Sequence, residues 1–148
     1  MVDMVFQNHV SDRDWPEEFF TRIFDRAIRF LKLNDKHVEL GLQLIGPEKS
    51  RELNNKYRHK DKPTDVLSFP LEDSTLNKYD IMPLGDIFIC LDVARQQAEA
   101  LKIPISQELA RLAVHGLLHL LGYDHERSAA AENEMIGLQE DIIQSLDL

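Results

Sequence analysis

The stretch Ser106-Gln-Glu-Leu-Ala-Arg-Leu-Ala-Val-His115-Gly-Leu-Leu-His119-Leu-Leu-Gly122-Tyr-Asp-His125 carries both the main helix of the chain and its chemistry. Leu109, Leu112, Ala113, Leu117 and Leu120 recur at helical spacing, which predicts a helix over 106–121 packed on a sheet. His115 and His119, four residues apart, fall one above the other on such a helix, so both imidazoles reach one ion. Gly122 suits the left-handed conformation that ends a helix and swings His125 back toward the same point. The expectation is a metal site of His115, His119 and His125 with a fourth position open, the arrangement of catalytic rather than structural zinc. Zinc suits imidazole donors at an open tetrahedral position, and nickel, copper and manganese take the same donors. A lone histidine on a helix is usually a satisfied polar residue, but packing does not explain these offsets together. The isolated His9, His37 and His59 are assigned surface or hydrogen-bonded roles.

Outward from this helix, the chain of 148 residues reads as a single domain, 1–148, long enough to bury a substantial core. Strands are expected at Val2–His9, Val38–Ile45, Asp65–Phe69 and Gly85–Leu91, the second with Val38, Leu40, Leu42 and Leu44 on one buried face. Helices are expected at Trp15–Leu33, Glu48–Tyr57, Asp92–Leu101, Ser106–Leu121 and Ala129–Leu146, and Glu72–Pro83 reads as a loop. About four strands interleaved with about five helices predict an α+β fold, an α/β sandwich on a small mixed sheet, with the metal site closing the penultimate helix. Met135 falls on the amphipathic last helix, where core packing is its expected role.

Composition narrows the class. Hydrophobic residues at 43% beside 29% charged ones fit a soluble globular protein, and no run approaches the ~20 apolar residues of a membrane span. No basic start followed by an apolar core marks a signal peptide, and the one cysteine, Cys90, excludes an internal disulfide framework. A cytoplasmic location is expected. The net charge of −9 is unevenly spread. Arg51, Lys56, Arg58, Lys60 and Lys62 stand against only Glu52 and Asp61, whereas from Asp124 onward seven acids stand against Arg127 alone. A basic island on an acidic body is compatible with local contact to a polyanion, and equally with a solvated helix end.

The histidine offsets are those of the metzincin pattern H-E-x-x-H-x-x-G-x-x-H, with Gly116 where the protease glutamate belongs. A bound zinc acidifies its water from a pKa of about 16 toward ~7. Peptide cleavage still needs a group to pass a proton to the amine leaving group, which glycine cannot do. Phosphodiester cleavage instead needs charge neutralised on the phosphate oxygens, which a metal and an arginine largely supply. With RNA the 2′-hydroxyl is also available as an internal nucleophile. Arg58, in the basic island, is the candidate arginine, since its guanidinium can fork onto two phosphate oxygens. Lys60 and Lys62 are candidates to guide an RNA backbone. Asp124, Glu126 and backbone carbonyls are candidates to orient the histidines.

Two segments together resemble a known family. His115-Gly-Leu-Leu-His-Leu-Leu-Gly-Tyr-Asp-His125 and Tyr57-Arg-His-Lys-Asp-Lys-Pro-Thr-Asp-Val-Leu-Ser-Phe-Pro70 are similar to the motifs of the YbeY endoribonuclease (rRNA maturation factor) family, and Gly85-Asp-Ile-Phe-Ile-Cys90 fits its G-D-I strand. The resemblance implies a bacterial, cytoplasmic, single-strand-specific metalloendoribonuclease acting in 16S rRNA 3′-end maturation and ribosome quality control. It also implies zinc on His115, His119 and His125 and a functional arginine at Arg58. The partners it suggests are a single-stranded 16S rRNA precursor and the ribosome, with no membrane; the acidic remainder of the chain further suggests that small-subunit ribosomal proteins or an assembly GTPase add specificity. The rival readings are a metzincin-like peptidase, with Glu126 as its base, and a non-catalytic zinc-stabilised ribosome-assembly factor. If the basic island contacts single-stranded RNA, affinity measured from low to high salt falls with a log–log slope of about −0.7 per neutralised phosphate. A flat salt dependence would remove that island from the interface.

Overall fold

In the computed structural model, residues 1–71, 81–124, 126–146 and 148 are described. The chain runs β1 (Val2–Asn8), α1 (Glu17–Phe30), β2 (His37–Ile45), α2 (Pro47–Arg58), β3 (Val66–Pro70), β4 (Ile81–Cys90), α3 (Leu91–Leu101), α4 (Ile105–Leu120) and α5 (Ala129–Ser145). The strands form one sheet in the order β1-β2-β4-β3, with β1, β2 and β4 parallel and β3 antiparallel to β4. This is the expected α+β arrangement on a small mixed sheet. Parallel β1 and β2 need a crossover, and α1 supplies it.

Alternation along the strands divides the apolar residues between two faces. Val38, Leu40, Leu42 and Leu44 of β2 and Ile87 and Ile89 of β4 enter the main core, together with Phe20, Ile23, Phe24, Ala27 and Ile28 of α1 and the apolar side of α4. Phe88, between Ile87 and Ile89, joins a small cluster with Ile45, Leu53, Leu67 and Phe69, where α2 packs. The sheet is thus covered unequally, heavily on the side of α1, α4 and α5 and lightly on the side of α2. Met135 is 1% exposed on α5, in the core role expected of it.

The largest departure from the sequence reading is at the start of β4. Glu72–Pro83 reads as a loop, yet the strand begins at Ile81, paired with His37. Pro83 lies opposite Glu39 beside a register shift between Glu39 and Leu40, where a missing N–H disturbs the ladder least. Residues 72–80, the rest of that expected loop, lie outside the described residues.

Two glycines of the quoted stretch have separate jobs. Gly122 adopts φ +101°, its N–H bonds His119 O at 3.0 Å, and Tyr123 N–H bonds Leu118 O at 3.0 Å. That pair of bonds is a Schellman ending, so α4 stops as its sequence predicts. At Gly116 α4 lies close against the sheet: a Cβ there would stand 2.9 Å from Ile87 Cγ2 and 3.1 Å from Cδ1. Gly116→Ala therefore meets an overpacking cost of about 1–3 kcal/mol, against a helix-propensity gain of about 1 kcal/mol. The expected outcome is a net loss of roughly 1 kcal/mol in a denaturant titration. A variant as stable as the parent would show that this contact does not limit how α4 sits.

Candidate functional site

Beneath α4 a cleft of about 740 Å³ opens beside β3 and the end of α2. His115 and His119 line it, and so do Arg58, Tyr57, Asp124 and Glu126. The spacing argument could place the histidine pair but not the arginine; in the fold they line one cleft. The two imidazole centroids are 4.7 Å apart, with the rings edge-on to each other at 68°. His125 lies outside the described residues.

The orientation of His115 comes from an unforeseen residue. Its Nδ1 is 2.9 Å from Oε1 of Gln139, a residue of α5 that is only 7% exposed. An amide oxygen only accepts, so Nδ1 carries the hydrogen and the ring's lone pair sits on Nε2. This is the outer support that metal-binding histidines usually have. A half-buried pair of imidazoles, at least one of them tautomerically fixed, is a donor set that fits zinc. Asp124 and Glu126, the sequence candidates for this support, have other engagements. Asp124 Oδ1 accepts the Glu126 N–H at 2.9 Å, and Glu126 Oε1 accepts from Arg58 Nη2 at 2.9 Å.

Arg58 is the last residue of α2, and His59 follows it in the left-handed conformation, φ 59°, turning the chain out of the helix. The basic loop after it is strapped back onto α2 at three points. Arg51 makes two bonds to Asp61, of 2.7 and 3.0 Å; buried Asn54 donates to Lys62 O at 2.8 Å; and Ser50 and Thr64 exchange two bonds of 2.9 Å. The Arg51 hydrogen bond holds the Asp61 carboxyl below the usual carboxylate range. Arg51 is therefore committed within the chain. Lys60 and Lys62 are exposed on this loop and are not on the cleft wall. Tyr57, 53% exposed, does line the cleft, with its ring 4.9 Å from that of Phe69 and edge-on to it. It opens the second family-like segment, but the sequence assigns it no role.

His9 Nε2 bonds Gln43 Oε1 at 2.8 Å, and His59 ends α2. His37 faces Asp3 at 3.6 Å; with Glu39 these make a candidate metal-ligand group among the described residues. It is on β1 and β2, whereas β3 borders the cleft at the opposite edge of the sheet.

Two turns before His115, on the same side of α4, Glu108 is fully buried, and its Oε1 lies 3.0 Å from Arg111 Nε. Neither carboxylate oxygen makes a well-directed hydrogen bond. Burial pushes the Glu108 carboxyl above its ordinary range; Arg111 opposes this, and the charges of Asp65 and Glu140 add to it.

The comparisons with known proteins agree with one another. The family model for Endoribonuclease YbeY matches residues 5–147. Among curated relatives, Endoribonuclease YbeY of Persephonella marina is 37% identical over 99% of this chain and 94% of its own length. That of Oenococcus oeni is 47% identical over 82% of this chain and 80% of its own. The solution structure of TM1509 from Thermotoga maritima superposes with a TM-score of 0.65 at 25% identity, covering 96% of this chain and 87% of that one.

Glu108, buried beside the histidine helix, gives this region a measurable signature. A raised carboxyl pKa means that the folded chain holds the Glu108 proton more tightly than the unfolded chain does. The cost of ionising it is absent below the ordinary value of 4.5 and grows as pH rises from there to the folded value. The stability of the parent relative to Glu108→Gln should therefore fall as pH rises through that window, in denaturant midpoints measured at each pH. A difference that does not change with pH would contradict the burial argument.

Proposed function

We propose the following role for a chain that belongs to the Endoribonuclease YbeY family and is accordingly an endoribonuclease: it is a zinc-dependent, single-strand-specific enzyme acting in 16S rRNA 3′-end maturation and ribosome quality control. One observation carries the reading: Arg58 lines the same cleft as His115 and His119. Zinc, held by His115, His119 and His125, would supply Lewis acidity at the scissile phosphate. Everything else falls to the chain's own residues. Gln139 fixes the His115 ring. Arg58 forks onto two phosphate oxygens and stabilises their charge as it grows. Its present partner does not prevent this, because the Arg58–Glu126 pair is exposed, 41% and 61%, and exposed pairs contribute only about 0–1 kcal/mol. Tyr57 offers an aromatic surface to an unpaired base, a contact that single strands allow and duplexes do not. Lys60 and Lys62, outside the cleft, guide the backbone on its approach.

The peptidase alternative lacks the glutamate of its own motif, and the packing at 116 disfavours one: a Cβ there would stand 2.9 Å from Ile87 Cγ2, so any side chain requires Ile87 to shift. The acidic body, at −9 overall, favours help from a ribosomal protein or an assembly GTPase in choosing the substrate. No helix among the described residues is long and apolar enough to cross a membrane. We place the protein in the cytoplasm, where its substrate is.

The test is a pair of variants assayed for metal content and for cleavage of labelled single-stranded RNA. His119→Ala should lose both. Arg58→Met should keep the metal and lose cleavage by about 10²–10³-fold, the effect of removing one preorganised charge stabiliser. Arg58→Glu should be at least as damaging, because it turns a carboxylate toward Glu126. RNA cleavage by Arg58→Met at the parent rate would remove the arginine from the mechanism.

A further inference from the structure

The cleft has a rear chamber. A second cavity of about 200 Å³ shares Asp65 and His115 with it, and its other walls include Arg111, Gln139 and the apolar Met135 and Ile136. Its polar groups are set in place before any ligand arrives. Asp65 Oδ1 accepts from Val66 N–H at 2.7 Å and from the Thr64 hydroxyl at 3.3 Å, and Oδ2 accepts from Gln97 Nε2 at 3.3 Å. Of the roughly four lone-pair positions of a carboxylate, one on Oδ2 remains open. Arg111 turns Nε toward Glu108, leaving the four Nη–H donors of its guanidinium without a hydrogen-bond partner among the described residues.

These features select a class of ligand. A phosphate is disfavoured, because the Arg111 charge is already offset by buried Glu108 and Asp65 adds a second negative charge at the wall. An uncharged, flat ring with both hydrogen-bond donors and acceptors meets every surface of the chamber: apolar walls for its faces, donors from Arg111 and an acceptor on Asp65. We propose that the rear chamber is a nucleobase subsite, in which Arg111 and Asp65 read the edge of one base next to the phosphate bound at Arg58. Arg111 is then a specificity residue, and Glu108 is a positioning residue that holds it. The proposal rests on the endoribonuclease reading for the identity of its ligand.

Two variants test it in the full chain. Ile136→Trp fills the chamber from its exposed side, where Ile136 is 46% exposed, without replacing a charged residue. Glu108→Leu with Arg111→Met removes the ion pair as a unit, so that no charge is stranded in the core. The probe is a set of single-stranded 2′-O-methyl oligonucleotides, each with one abasic position, whose binding is followed by fluorescence anisotropy. For the parent, one abasic position should weaken binding about tenfold, the lower end of what one recognised base contributes. Both variants should lose that position's effect while keeping the others. A flat scan for the parent, or an unchanged scan in Ile136→Trp, overturns the subsite even if the double variant does not fold. Cleavage of unmodified RNA is measured alongside. Cleavage with a flat scan would sink the subsite alone, whereas a sensitive position without cleavage would leave the subsite standing and remove the enzymatic reading.

Discussion

The close seat of α4 on β4 is the constraint on which the rest of the structure depends. A helix ordinarily stands off a sheet by the thickness of its side chains; at Gly116 there is no side chain, and Ile87 fills the space. The residues on either side of that contact are therefore fixed in rotation about the helix axis. His115, immediately before it, and His119, one turn later, are set toward the cleft while Leu117 and Leu118 are fully buried. The Schellman ending at Gly122 then turns the chain just before the third histidine of the motif. Packing and chemistry are here one property of one helix, and the core that seats α4 also supplies the rigidity a preorganised site requires.

Burial separates the ion pairs of the two arginines that line the neighbouring cavities. Arg58 and Glu126 meet in the open, where water screens the pair and little is lost when it parts. Arg111 and Glu108 meet where Glu108 is out of reach of water, so parting them would leave a buried charge and cost far more. The first pair suits a group that must change partners during a binding event. The second suits a group that must stay still while something binds against it. Similar ion pairs, judged by distance alone, thus differ in what it costs to part them.

Local pattern made much of this legible. The histidine offsets, the helix-ending glycine and the buried alternation of β2 depend on spacings of a few residues, which a sequence displays directly. Arg58 was legible as a residue type but not as a location, because what brings it to the histidines is the packing of β3 between α2 and α4. Gln139 and the Glu108–Arg111 pair were not legible at all. Gln139 lies 24 positions from His115, and a glutamine on a helix carries no mark of burial. Glu108 and Arg111 have the spacing of an ordinary exposed helical pair, and only the three-dimensional surroundings make Glu108 a core residue. The early start of β4 was hidden for a related reason. A proline weakens a strand by its missing N–H, and a register shift on the neighbouring strand removes the need for that bond.

Gly116 links the fold to the choice of reaction. A metzincin-like cradle with glutamate after its first histidine needs room for that side chain, and here the room is taken by Ile87. The same contact that seats the helix thus removes the proton carrier on which peptide cleavage depends. A phosphodiester does not impose that demand in the same form, because its barrier is dominated by charge on oxygen, and charge can be met by an arginine arriving from another element. Arg58 comes from the end of α2, beyond the reach of any motif centred on α4. A side chain at 116 would require Ile87 to shift or α4 to stand farther from the sheet. Under the proposed phosphodiester reading, charge supplied by Arg58 across the cleft takes the place of that glutamate.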